Sequence, residues 1–168
     1  MKFVEGVVEI GGDRFPDVGS FIDAIDSISE QCGVMIQAFD ARYVVSRRHL
    51  ERALEVADRE RARGEEIVRD RGVEMTLYAA GRRQIDQAFE IGVSVGETPA
   101  VIVVDGRGDE ATAADSIGDL ITPADTLGKY DEELVRSFYD IGTNELNATD
   151  AGLEALVLER VVLLVVER

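Results

Sequence analysis

The sequence predicts an α/β fold, a single domain with about four strands in one mixed sheet, helices packed on it and a helical C-terminal part. Three observations predict it. Up to Asp105, short β-branched apolar segments alternate with segments whose apolar residues recur at helical spacing. One segment, Ala100 to Val104, is apolar throughout, as a central strand is. After Asp105 the spacing turns helical. With 168 residues, read as one domain over 1–168, such a chain buries about 70% of the surface its unfolded form exposes.

Lys2 to Ile10 carries Val and Ile in partial alternation and stops at Gly11-Gly12, a strand followed by a turn. Pro16 and Asp17 suit a helix start, and Phe21, Ile22, Ile25 and Ile28 follow at helical spacing before Gly33. Val34 to Phe39 reads as the second strand. Ser46 caps a helix whose Leu50, Ala53, Leu54 and Ala57 form one apolar stripe up to Gly64. Glu65 to Asp70 permits a short helix. Val73 to Ala80 reads as the third strand, Gly81 as a turn, and Ile85, Ala88 and Phe89 as a helix ending at Gly92. Ala100 to Val104 is the fourth strand. Helices are then expected over Asp109 to Leu120, Tyr130 to Ile141 and Thr149 to Arg168. Val161 to Val166 would also suit a strand, but Leu153, Leu156, Val157, Val161 and Leu164 continue a single stripe, which favours helix.

Composition narrows the function. Basic residues number 18 and acidic residues 34, a net charge of −16, so attraction to DNA, RNA or an anionic membrane is not expected of the molecule as a whole. Cys32 is the one cysteine and His49 the one histidine, which excludes an internal disulfide and a Cys/His zinc site. No cofactor is expected. The first residues lack the apolar core of a secretory signal, and the longest apolar run, Val161 to Val166, is far short of the about 20 residues that span a bilayer. A cytoplasmic location is expected, and Asn147-Ala148-Thr149 and Arg107-Gly108-Asp109 are then chance matches. Of the basic residues only Lys2 and Lys129 are lysine. An acidic, arginine-dominated surface points to a salt-loving cytoplasm, where a Debye length of about 3 Å at 1 M screens self-repulsion. A GC-rich genome is the competing explanation.

Few motifs carry chemistry. Gly106-Arg107-Gly108-Asp109-Glu110-Ala111 matches a G-x-G-x-x-A fingerprint in letters, but Asp109 and Glu110 put negative charge where a pyrophosphate would sit. It reads as a solvated turn. Ser46 and His49 are neighbours, yet a helix-capping hydroxyl is already engaged. Glu65-Glu66 and Glu132-Glu133 do not stand out from the other carboxylates, and Cys32 reads as a small apolar filler. One deviation stands out. From Arg42 to Arg83 there are 11 arginines and 8 carboxylates, or +3, against −19 for the remainder. Arg59, Arg61, Arg63, Arg69 and Arg71 have acids within helical reach and are read as pairing with them. Arg47 and Arg48, in a stretch without acids, and Arg82 and Arg83, at a turn into a helix, are candidates for an anion or RNA.

The stretch Leu77-Tyr78-Ala79-Ala80-Gly81-Arg82-Arg83-Gln84-Ile85-Asp86-Gln87-Ala88 resembles the hallmark of the small PRPK-binding (TPRKB-like) subunit of the KEOPS complex, in its archaeal form. Arg83, Gln84, Ile85 and Ala88 match the family pattern; Arg82 departs from it, since a small hydroxyl residue is commoner there. Asp40-Ala41, His49-Leu50, Ala53 and the terminal Leu158-Glu159-Arg160-Val161 also look like the family, so the resemblance spans nearly the whole chain. It implies a non-catalytic subunit of a complex that installs threonylcarbamoyl on adenosine in the tRNA anticodon loop. Its direct partner would be the small atypical kinase of the complex, with the other subunits reached indirectly. Archaeal relatives are implicated in capturing the single-stranded CCA tail of tRNA. The RNA contacts implied are Arg83, Arg82, Gln84, Ile85, Arg47, Arg48 and His49. Leu158, Val162 and Val165, lying off the main stripe of the last helix, are the expected kinase contacts. Two rivals stay open: a small enzyme holding a phosphorylated metabolite at Arg82 and Arg83, and a scaffold with no RNA contact.

Overall fold

The computed structural model of the chain describes residues 1–167. They group into two units, each made of two separate stretches: Met1–Ala41 with Gly92–Thr126, and Arg42–Ile91 with the chain from Leu127 onward.

The first unit holds the sheet. Its strands are β1 (Lys2–Ile10), β2 (Met35–Asp40), β3 (Gly96–Asp105) and β4 (Thr122–Pro123), in the order β2-β3-β1-β4. β3 sits between two full partners, and Ala100 to Val104 are completely buried there, which is why this segment can be apolar at every position. Every pairing is antiparallel. The mixed sheet expected from sequence is therefore corrected, because the helix-strand alternation that would have made parallel crossovers breaks down after β2. The two-residue β4 has no sequence signal of its own. It approaches β1 so closely that a Cβ on Gly6 would lie 2.5 Å from the Thr122 carbonyl.

Two helices, α1 (Val18–Cys32) and α5 (Glu110–Gly118), complete this unit's core with Val8, Ile10, Phe21, Ile25, Ile36, Ile102 and Ile117. The start of α1 is where its letters place it. Asp17 accepts from the Ser20 amide at 2.8 Å in a capping box, and Gly33 ends the helix in the left-handed region at φ 67°. Asp109 caps α5 through the Thr112 amide at 3.0 Å, so the glycine turn at 106–108 spends its acid on the helix start.

The second unit is helical: α2 (Arg47–Ala62), α3 (Arg71–Ala80), α4 (Ile85–Ala88), α6 (Glu132–Phe138), α7 (Thr143–Asn147) and α8 (Gly152–Leu163), with a single 3₁₀ turn at Phe89–Ile91 after α4; another, Ala41–Tyr43, follows β2 where the chain leaves the first unit. Helices α2, α3 and α8 pack on one another. Val73 to Ala80, expected as the third strand, is helix instead. Residues 74–80 are buried on every side, so the 3.6-residue alternation that marks a helix is absent from the letters. Asp70 caps the start through the Val73 amide at 2.9 Å, and Gly81 caps the end at φ 63°. No helix forms over Glu65 to Asp70. That segment bends around the buried Glu74 carboxylate, which accepts from the amides of Ile67 and Val68 at 2.9 to 3.1 Å.

The Tyr130 to Ile141 helix contracts to α6, which ends in a turn with Asp140 at φ 54°. The last helix begins at Gly152 and stops at Leu163, shorter than Thr149 to Arg168; Arg168 lies outside the described residues. Its stripe is as expected, with Leu153, Leu156, Val157, Val161 and Leu164 all buried. Among the described residues, no helix is long and apolar enough to cross a membrane.

Candidate RNA- and partner-binding surface

Both candidate surfaces lie in the second unit. The first is the turn from α3 to α4. Gly81 in the left-handed conformation reverses the chain, and the Arg82 amide donates back to the Leu77 carbonyl at 3.1 Å. This closure separates the two arginines. Arg82 turns inward: its Nη2 donates to the Phe138 carbonyl at 2.5 Å and its guanidinium lies 5.0 Å from the centre of the Phe138 ring. Arg83 turns outward, exposed, and pairs with none of the described residues. Gln84 and Ile85 are exposed beside it, and the Gln87 amide holds the Gln84 side chain at 3.0 Å.

A cleft of 360 Å³ opens there. One wall is Ala80 to Gln84 with Gln87, the other Phe138 to Asp140 with Arg160, and Glu167 adds a carboxylate to the lining. An unpaired guanidinium and side-chain amides are groups that take up a phosphate or the edge of an unstacked base, whereas the Phe138 ring is buried beneath Arg82 and supports the wall. Sequence reasoning missed the second wall. Phe138, Tyr139 and Asp140 lie more than fifty residues from the turn, and only the fold brings them to it.

The other arginine candidates are differently placed. Arg47 and Arg48 stand exposed on the first turn of α2, but Arg47 pairs with Glu51 at 3.0 Å and Arg48 with Glu55 at 2.9 Å. Arg48 also holds the Glu55 carboxyl below the usual range. Ser46 caps α2 through the His49 amide at 3.2 Å and donates to Glu154 at 2.9 Å.

His49, expected among the RNA contacts, is completely buried and has no surface to offer. Its Nε2 lies 2.8 Å from the Ala79 carbonyl, which can only accept, so that nitrogen carries the proton. Its Nδ1 accepts from the Val45 amide at 3.4 Å. Burial pushes the imidazole pKa down to about 4, which keeps it neutral. The Tyr139 hydroxyl, also buried, donates to the same Ala79 carbonyl at 2.9 Å, and burial raises its pKa well above the ordinary range. Two side chains thus converge on the last turn of α3, just before the arginines.

The second surface is the outer side of α8 and the turn after it, where Val165, expected on the helix, lies. Leu158 and Val165 are half-buried, and Val162 is exposed together with Leu163 and Val166. This apolar row lies off the buried stripe.

The family model for the kinase binding protein CGI-121 matches residues 20–164. The chain belongs to the CGI-121 family of kinase-binding proteins. The match takes in α2, the α3–α4 turn and α8, and ends at Leu164, before Val165 and Val166. Membership gives the chain a kinase as the class of partner its family is described by. A comparison with curated proteins finds no significant match. Among the described residues, no group of three or more His, Cys, Asp or Glu is placed to hold a metal ion.

Proposed function

We propose that this chain is the non-catalytic, kinase-binding subunit of a KEOPS complex that makes threonylcarbamoyladenosine in tRNA, and that its α3–α4 turn captures the single-stranded 3′ CCA tail. The observation that carries the tRNA part is Arg83, exposed and without a partner among the described residues, at the mouth of a cleft beside the side-chain amides of Gln84 and Gln87. Single-stranded RNA offers phosphates and unstacked bases, which such groups bind at short range. Short range matters for a chain of net charge −16, because long-range attraction is absent. Gln84 supplies a polar contact, Ile85 an apolar one, and Arg82 shapes the cleft wall. His49 leaves the list of RNA contacts and becomes a buried support. The kinase docks on Leu158, Val162 and Val165. The rival phosphate-metabolite reading is weakened by α4, whose four residues give it little dipole to offer a phosphate.

The test is filter binding of intact and CCA-trimmed tRNA at fixed high salt by wild type, Arg83→Ala and Arg63→Ala. Arg63 is also exposed, but it faces Glu60 at 3.4 Å. Arg83→Ala is expected to weaken binding of intact tRNA about tenfold, Arg63→Ala to leave it near wild type, and trimming to remove the difference. Equal wild-type affinity for both RNAs would reject tail capture.

A further inference from the structure

The turn that ends α6 is held in an unusual way. A helix leaves its last carbonyls without intrahelical donors, and here that of Phe138, the last residue of α6, and the two that follow it are taken by arginine. Phe138 accepts from Arg82 Nη2 at 2.5 Å, Tyr139 from Arg160 Nε at 3.0 Å, and Asp140 from Arg160 Nη2 at 3.1 Å. Asp140 sits at φ 54°, a conformation that costs a non-glycine residue free energy and persists where its surroundings hold it. Glu145 orients the holder, accepting from Arg160 Nη2 at 2.6 Å and Nη1 at 3.0 Å. That carboxylate raises the Arg160 pKa and is itself held low.

Both walls of the cleft are registered on this one residue of α8. On the far wall Arg160 fixes Tyr139, whose hydroxyl reaches the Ala79 carbonyl in the last turn of α3. On the near wall a Cβ at Gly81 would lie 3.3 Å from the Arg160 carbonyl, so backbone meets backbone two residues before Arg83. Four of the five N–H groups of Arg160 are committed within the protein, which leaves it little to give an RNA.

We propose that Arg160 is the positioning residue of the Arg83 turn: acting through the 138–140 segment and Gly81, it sets the affinity for single-stranded RNA without contacting the RNA. The inference rests on the reading of that turn as the tRNA site.

The experiment is filter binding of intact and CCA-trimmed tRNA to wild type, Arg83→Ala, Arg160→Gln and the double variant at one high salt concentration, with melting temperatures and kinase pull-down alongside. Arg160→Gln is expected to weaken intact tRNA about fivefold, to leave trimmed tRNA unchanged and to add nothing in the Arg83→Ala background. Wild-type affinity in a folded Arg160→Gln protein overturns the proposal. So does an equal loss with and without Arg83, the mark of a general loss of structure. Glu145→Gln, a half-exposed change outside the cleft that frees the Arg160 fork, is expected to act in the same direction; it carries the same criteria if Arg160→Gln does not fold. An Arg83→Ala effect without an Arg160 effect rejects this inference alone. Equal wild-type affinity for intact and trimmed tRNA rejects the tail-capture reading beneath it.

Discussion

Acid should unlock the buried imidazole of His49. In the unfolded chain a histidine takes a proton at about pH 6.5; in the folded chain burial pushes that down to about 4, against the smaller opposing influences of the Ala79 carbonyl and the Glu154 charge. The native state therefore binds fewer protons than the unfolded state between these values. Its His49 contribution to stability is whole above about pH 6.5 and declines by about 1.4 kcal/mol per pH unit below it, reaching a loss of about 3 kcal/mol by pH 4. The 34 carboxylates have acid dependences of their own, so the informative quantity is a difference. His49→Gln keeps an amide donor for the Ala79 carbonyl and does not titrate. Urea melts of both proteins at one salt concentration, taken from pH 7 down to pH 4, should show their stability difference move by about 3 kcal/mol in favour of the variant. A difference that stays constant over that range, or an NMR titration of His49 centred near pH 6.5, would refute the reasoning.

Three further outcomes are expected. With −16 on 168 residues, the melting temperature should rise as NaCl is raised from about 0.1 M to about 3 M, since shortening the Debye length screens the acidic surface; a salt-independent melting temperature contradicts this. Leu158→Asp combined with Val162→Asp should abolish pull-down of the small kinase while circular dichroism stays native, and unchanged capture would place the kinase elsewhere. Gly81→Ala should cost about 1–2 kcal/mol in chemical denaturation, because φ is 63° there and the Arg160 carbonyl is 3.3 Å from the new methyl group.

Local chemistry made parts of this fold readable. Asp17, Ser46, Gly33 and Gly81 act within a few residues of themselves, and each does in the structure what its type suggests. β3 was legible because burial on both faces leaves an unbroken apolar run. The same logic misled at Val73 to Ala80, where burial on all sides hides helical periodicity, and antiparallel pairing is a non-local choice with no local signature. The site divides likewise. Gly81 followed by Arg82, Arg83 and Gln84 announces a cationic turn, but which arginine reaches solvent depends on Phe138, and Arg160 finds its partners only once α6 and α8 are in place. The burial of His49 is equally tertiary, set by the packing of α2 against α3.

The interleaving of the two units bears on how the chain is made. β1 and β2 are not neighbours; each needs β3, which begins at Gly96, more than fifty residues after β2 ends. A nascent chain that has emerged as far as Ile91 has every strand partner still to come, and the helices it has delivered await α6 and α8. Neither unit can close as an N-terminal piece while the other is being synthesised, as consecutive domains do. The sheet's pairings join residues far apart in sequence, the kind of contact that slows folding, and until β3 is made β1 and β2 lack the partner that covers their edges.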